Sequence, residues 1–255
     1  MLASTLKVIF ILLALLANVG CASSRQISLE ILPGQEERYV KGIHIVGSLE
    51  QNSFIGMYTL SKSLRVNSKA GFNVWFRNVG EESTVFSIEN IKAMILNDAE
   101  KTPLQVNIYS YDELVSEAEE AASISAIFAG LKYLGNMSAA SKAGYSRTTG
   151  SFSSAEGYGT YSETTYDPAA EQAARDAAEY EVRSDLSGIE RDKQKSISAL
   201  SSILRKSTVL PGEVLSGEIM VAIPRGIDES ASLTFMIDAA GDKHIFKFRL
   251  NKMDK

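Results

Sequence analysis

Between Ile27 and Ser110 the chain alternates apolar and polar residues in short runs broken by Gly, Asn and Pro. Ile27-Ser28-Leu29-Glu30-Ile31 has the period of two expected of a strand with one face buried and the other wet. Comparable runs at 43–49, 57–62, 72–77, 84–88, 92–96 and 104–109 predict further strands. Within 72–77, Phe72, Val74 and Phe76 share one face, and Asn73, Trp75 and Arg77 share the other. Trp75 is then a core residue if both faces are covered and an exposed aromatic if they are not. Pro33-Gly34, Ala70-Gly71 and Asn97-Asp98 read as turns between runs.

From Tyr111 the period lengthens. Leu114, Ala118, Ala121, Ile124, Phe128, Leu131 and Leu134 recur at three- and four-residue spacing, the stripe of an amphipathic helix. Asp167-Pro168 signals a second helix, with a carboxylate to cap the first turn and a proline where no N–H is needed. Its apolar seam is drawn by Val182, Leu186, Ile189, Ile197, Leu200 and Leu204, with the stem of Lys193 interrupting. Glu171/Arg175 and Glu179/Arg183 are placed to pair across one turn. Two long helices in succession predict an antiparallel hairpin over 111–205.

The segment 144–166 between the helices holds four Gly, five Ser and five Thr. So little aliphatic surface predicts a flexible tip. Its aromatics, Tyr145, Phe152, Tyr158, Tyr161 and Tyr166, are candidates for partner binding, since such rings stack on sugars or form adaptable protein contacts. The bland alternative is a solvated linker that carries them without using them.

Strand patterning returns at 217–223, 233–237 and 245–250, with turns at Leu210-Pro211-Gly212-Glu213 and Gly241-Asp242. The expected fold is therefore mainly β with a large α insertion (α+β). Residues 27–110 and 206–255 form an immunoglobulin-like antiparallel β-sandwich, interrupted by the helical hairpin.

At the N-terminus, Lys7 precedes the apolar run Val8-Ile9-Phe10-Ile11-Leu12-Leu13-Ala14-Leu15-Leu16-Ala17, and Asn18-Val19-Gly20-Cys21 follows. The run is short for a membrane span and has the plan of an export signal. An ordinary secretory signal, cut near the same place, is one reading. The segment also resembles the signal peptide of bacterial lipoproteins, with Gly20 and Val19 matching the processing box and Asn18 departing from it. The resemblance implies removal of residues 1–20, lipid on Cys21 and a tether over 21–26. Ala22 and Ser23, with no Asp after the cysteine, imply the outer membrane by the same resemblance. The whole chain resembles proteobacterial outer-membrane lipoproteins of unassigned function. The motifs carrying this are Tyr166-Asp167-Pro168-Ala169-Ala170 and Leu210-Pro211-Gly212-Glu213, with Gly217 beyond. They imply architecture and location and transfer no activity.

Charge and chemistry narrow the function further. A net charge of −5 supplies no electrostatic reason to bind nucleic acid. With its one cysteine lipidated, the chain has no thiol for disulfide, zinc or nucleophilic chemistry. The two histidines, His44 and His244, lie in predicted strands, with no HExxH, EF-hand or G-x-S-x-G pattern nearby. Asp185, Glu190 and Asp192 alternate with Arg183, Arg191 and Lys193, as on a solvated helix face. No catalytic residue, metal site or cofactor is expected, apart from the covalent lipid. The expected function is a periplasm-facing, membrane-anchored binding or structural module of the cell envelope. Its partners are the lipid membrane through Cys21 and an envelope protein or cell-wall component. The alternatives are an envelope hydrolase acting on glycans or peptides, and a homo-oligomer assembled through the helical arm.

Overall fold

The computed structural model describes residues 24–40, 42–97, 102–154, 157–228 and 230–252. The expected signal and Cys21 lie outside the described residues. In chain order the strands are β1 (Ser24–Glu30), β2 (Gln35–Val40), β3 (Ile43–Leu49), β4 (Ser53–Thr59), β5 (Ser63–Arg65), β6 (Ser68–Asn78), β7 (Thr84–Phe86), β8 (Ile91–Asn97), β9 (Pro103–Val106) and β10 (Ile108–Tyr109). Helix α1 (Tyr111–Ala143), β11 (Tyr145–Ser154), β12 (Gly157–Tyr166) and helix α2 (Pro168–Ala199) follow. The chain then forms β13 (Ser207–Val209), β14 (Val214–Ile223), β15 (Ser230–Ala239) and β16 (Asp242–Lys252). It divides into two compact units, one comprising the chain up to Tyr111 and from Ser202, the other Asp112–Ser201.

The first unit is sandwich-like. One six-stranded sheet has the order β5-β1-β16-β15-β8-β9 and the other β10-β14-β6-β4-β3-β2, with antiparallel pairing throughout the described ladders. Both contribute to one core. Ile55, Met57, Phe72, Val74, Phe76 and Ile219 come from one sheet, and Ile95, Leu233, Phe235, Phe246 and Phe248 from the other. The Phe72 ring lies 4.9 Å from both Phe235 and Phe248, edge to face. Each large side chain so buried contributes about 1.5–3 kcal/mol, and each ring pair about 0.5–1.5 kcal/mol more.

Several elements differ from the sequence reading. Strand β6 runs straight through Ala70-Gly71, which read as a turn. The Leu60 side chain lies over Gly71, where a Cβ would come 2.8 Å from its end. The single run at 104–109 splits into β9 in one sheet and β10 in the other, breaking at Asn107. Strand β2, Gln-Glu-Glu-Arg-Tyr-Val, has no apolar alternation because it is an edge strand, and its charges discourage pairing with other chains.

In the second unit, α1 and α2 face each other through small residues. Ala139, Ala140 and Ala143 line the same space as Ala174, Ala177 and Ala178. Ala129, Ala140 and Ala178 are buried. Lys132 Nζ lies 2.7 Å from Glu181 Oε1 and 3.1 Å from Asp185 Oδ2, and Asn136 donates to Glu181 at 2.7 Å. The Asp167 carboxylate accepts from the Ala169 and Ala170 amides at 2.9 and 3.3 Å, capping α2 ahead of Pro168. Of the stripe expected to pack, only Leu114 is buried, while Ile124, Phe128, Leu131 and Leu134 are exposed, as is Leu186 on α2. The helical period was legible, but alanines and one lysine–carboxylate cluster select the inner face.

The segment expected as a flexible tip is a two-stranded ribbon, in register from Tyr145↔Tyr166 to Ser154↔Gly157. Thr and Tyr, though not aliphatic, favour extended backbone. Ser146 and Thr165 hydroxyls bond across the ribbon at 2.6 Å, and Arg147 donates to Ser162 at 2.8 Å.

The alanine seam makes a test. Ala178→Leu overpacks it and lowers stability by about 1–3 kcal/mol, whereas Leu186→Asp stays within about 0.5 kcal/mol of the parent. Thermal melts followed by helical circular dichroism read both. A larger loss from Leu186→Asp would put the large side chains back in the interface.

Candidate functional site

The inward direction of Phe72, Val74 and Phe76 forces Asn73, Trp75 and Arg77 to the outer face of the β6 sheet. Strand register then aligns two rows across that face. One runs Glu36, Gly47, Gly56, Trp75, and the next runs Leu49, Phe54, Arg77, Val214. The paired glycines leave a trough. A Cβ at Gly47 would come 2.7 Å from the Phe54 ring, and one at Gly56 would meet both Phe54 and Trp75 at 3.5 Å. Phe54 therefore leans over Gly47, and Tyr58 meets Trp75 edge-on at 6.0 Å. Ile45 is buried beneath this outer cluster, outside the sandwich core.

Beside the paired glycines is a concavity of about 360 Å³ lined by Glu36, Leu49, Phe54, Trp75, Arg77 and Val214 of these rows, with Arg38 and Val79. That volume suits a small ligand. Trp75 is half-buried and Arg77 exposed at its rim. Arg38 and Glu36 form a solvent-exposed pair at 2.7 Å, an arrangement worth little to stability and free to rearrange around a ligand. The described lining residues include no Ser, Cys or His. The surface offers ring stacking and guanidinium groups.

An imidazole and two hydroxyls with familiar catalytic chemistry are buried in the sandwich, and a partly buried carboxylate adjoins them. His244 is 1% exposed. Its Nδ1 is 2.9 Å from the Ser48 hydroxyl and its Nε2 is 2.8 Å from the Ser53 hydroxyl. Ser53 in turn donates to Asp242 Oδ2 at 2.7 Å, and the Asn52 amide donates to the same oxygen at 2.7 Å. Because the Ser53 proton goes to Asp242, His244 Nε2–H donates to Ser53, and Nδ1 accepts from Ser48. The proton order is the reverse of a nucleophilic serine handing its proton to histidine. Burial pushes the His244 pKa below its ordinary value, against the opposing fields of Glu50 and Asp242. A neutral imidazole satisfies every group in this chain. His44 has separate partners, stacking on Tyr39 at 4.9 Å with Nε2 2.6 Å from Glu37. Among the described residues no cluster of three or more His, Cys, Asp or Glu could hold a metal ion.

The tip aromatics are ordered on the ribbon but do not form one platform. Register puts Tyr145, Tyr158 and Tyr166 on one face and Phe152 and Tyr161 on the other. Tyr145 and Tyr166 pair at 4.9 Å, and Tyr166 donates to Glu171 at 2.6 Å. That bond raises the Tyr166 pKa and lowers that of Glu171. Tyr161 lies over Gly150, where a Cβ would meet its ring at 2.5 Å. Tyr145, Tyr158, Tyr161 and Tyr166 are exposed, the side chain of Phe152 is outside the description, and Cys21 lies beyond the described residues. Sequence reasoning noticed Trp75 but missed the trough, whose signal is Gly-x-Leu in β3 facing Phe-x-Gly in β4.

The buried imidazole makes stability depend on pH. The unfolded chain binds a proton near pH 6.5, whereas folded His244 resists it, so its contribution is complete above about 6.5 and is lost as pH falls below. Urea midpoints of the parent should drop through this window, and His244→Gln should flatten the drop. An identical slope in both chains would remove His244 as its source.

Comparison of the chain with protein-family models, curated proteins and solved structures gives no match.

Proposed function

We propose that this chain is a lipid-anchored, periplasm-facing protein of the bacterial outer membrane that binds an envelope component and catalyses no reaction. The observation carrying the binding reading is the open Trp75 trough, set against a buried His244 whose hydroxyl partners Ser48 and Ser53 are buried with it. The anchoring reading rests on the apolar run ending at Gly20-Cys21 and its resemblance to lipoprotein signals. Several acyl chains on one cysteine give stable membrane attachment. Among the described residues no helix is long and apolar enough to cross a membrane.

The ligand chemistry follows from the trough. A ring with a flat apolar face stacks on Trp75 and Phe54, and an anionic substituent meets Arg77. Acidic sugars of the cell wall have both features. The tyrosines of the ribbon are separate contact points in this reading. We read the sandwich as immunoglobulin-like, supported by β4, β5 and β6 switching between sheets. We read the helices as an antiparallel hairpin, supported by the Lys132–Glu181 and Gly144–Asp167 contacts at its two levels.

Trp75 is the only tryptophan, so its fluorescence reports the trough directly. Titration with N-acetylmuramic acid should give a saturable spectral change, N-acetylglucosamine a weaker one, and Arg77→Ala should weaken the acid about tenfold. No change with any acidic ring compound would overturn the binding reading. Intact-mass analysis of the membrane-extracted protein tests the anchor separately, with a lipid-modified chain starting at Cys21 expected. An unacylated N-terminus elsewhere would contradict it.

A further inference from the structure

On α1, Ile124, Ile127, Phe128, Leu131 and Leu134 are 49%, 63%, 67%, 58% and 64% exposed. At about 100° per residue they occupy roughly one third of the helix circumference. That side is opposite the one on which Ala129 and Ala140 are buried against α2. A Cβ at Gly135, on the same outer side, would meet nothing within 4 Å. The strip is about 15 Å long. Its exposed apolar area is on the order of 500 Å², a size that marks interaction surfaces on soluble proteins.

We infer that a second copy of this chain covers the strip, with the two α1 helices antiparallel about a two-fold axis that crosses the strip at the level of Ala129. The strip's own pattern selects that occupant. Glu113, Glu117 and Glu120 continue the face toward the helix N-terminus, and Lys142 continues it toward the C-terminus. A face acidic at one end and basic at the other matches itself only when reversed. With the axis near Ala129, Ile124 lies opposite Leu134, Ile127 opposite Leu131, and Phe128 beside its own copy. Glu117 then falls within one residue of the level of Lys142. Two such strips bury about 1,000 Å² in total, the lower bound for a specific interface, and antiparallel helix dipoles add to the preference. A lipid surface fits less well, because interfacial helices carry Lys and Arg along the polar margin, whereas this margin is acidic toward its N-terminus. The inference is independent of what the Trp75 trough binds.

The test uses the full chain in living cells, with a benzophenone amino acid at Leu131 and two differently tagged copies expressed together. Irradiation should give an adduct carrying both tags, with the cross-linked peptide containing Ile127 of the second copy. Phe128→Asp on both copies should reduce that adduct at least tenfold without changing helical circular dichroism, since the side chain is exposed. With incorporation verified, a monomer alone, an adduct only to lipid or only to another protein, or a dual-tag adduct that survives Phe128→Asp would overturn the inference.

Discussion

The contact of Phe72 with Phe235 and Phe248 across the two sheets is the constraint on which the rest of the sandwich depends. Strand geometry allows each residue only one face, so committing Phe72, Val74 and Phe76 to the core commits Asn73, Trp75 and Arg77 to the outside. A slip of one residue in β6 would bury Arg77 and expose three core side chains. The Trp75 trough is therefore fixed by the core beneath it. Its shape comes from two glycines in neighbouring strands, where missing side chains let Phe54 and Trp75 lie low over the sheet.

The same logic explains why His244 is a structural group. Its neighbours on β3 and β4 offer hydroxyls, and Ser53 donates its hydrogen bond to Asp242. Burial of the imidazole disfavours its charged form, because the ion would be desolvated. In this arrangement His244 bridges the two sheets through the Ser48 and Ser53 hydroxyls.

The helical unit is held differently. Alanines bury little area per residue, and the Lys132 bridges and the Asp167 cap accompany them at the exposed margin. Large apolar side chains are displaced outward onto α1, where they are available to another molecule.

Much of the fold was legible in the chain. The alternation at 72–77 and 233–250 read correctly because both faces obey one rule, apolar inside and polar outside. Asp167-Pro168 read correctly because capping is a local interaction. The failures share a cause, since each depended on what a distant segment supplies. Gly71 looked like a turn until Leu60 lay over it. The β11–β12 pairing was not read because cross-strand partners are not visible in composition. The α1 stripe had the right period, but its partner helix presents alanines. The Trp75 trough needed the register of four strands, which no single window of sequence contains.

The most direct measurement maps backbone amide chemical shifts of the chain as an acidic ring sugar is added. The account predicts perturbations centred on Gly47, Gly56, Trp75 and Arg77, with the His244 neighbourhood and the Tyr145–Tyr166 ribbon unchanged. Perturbations centred on Ser53 and His244, or confined to the ribbon, would contradict it.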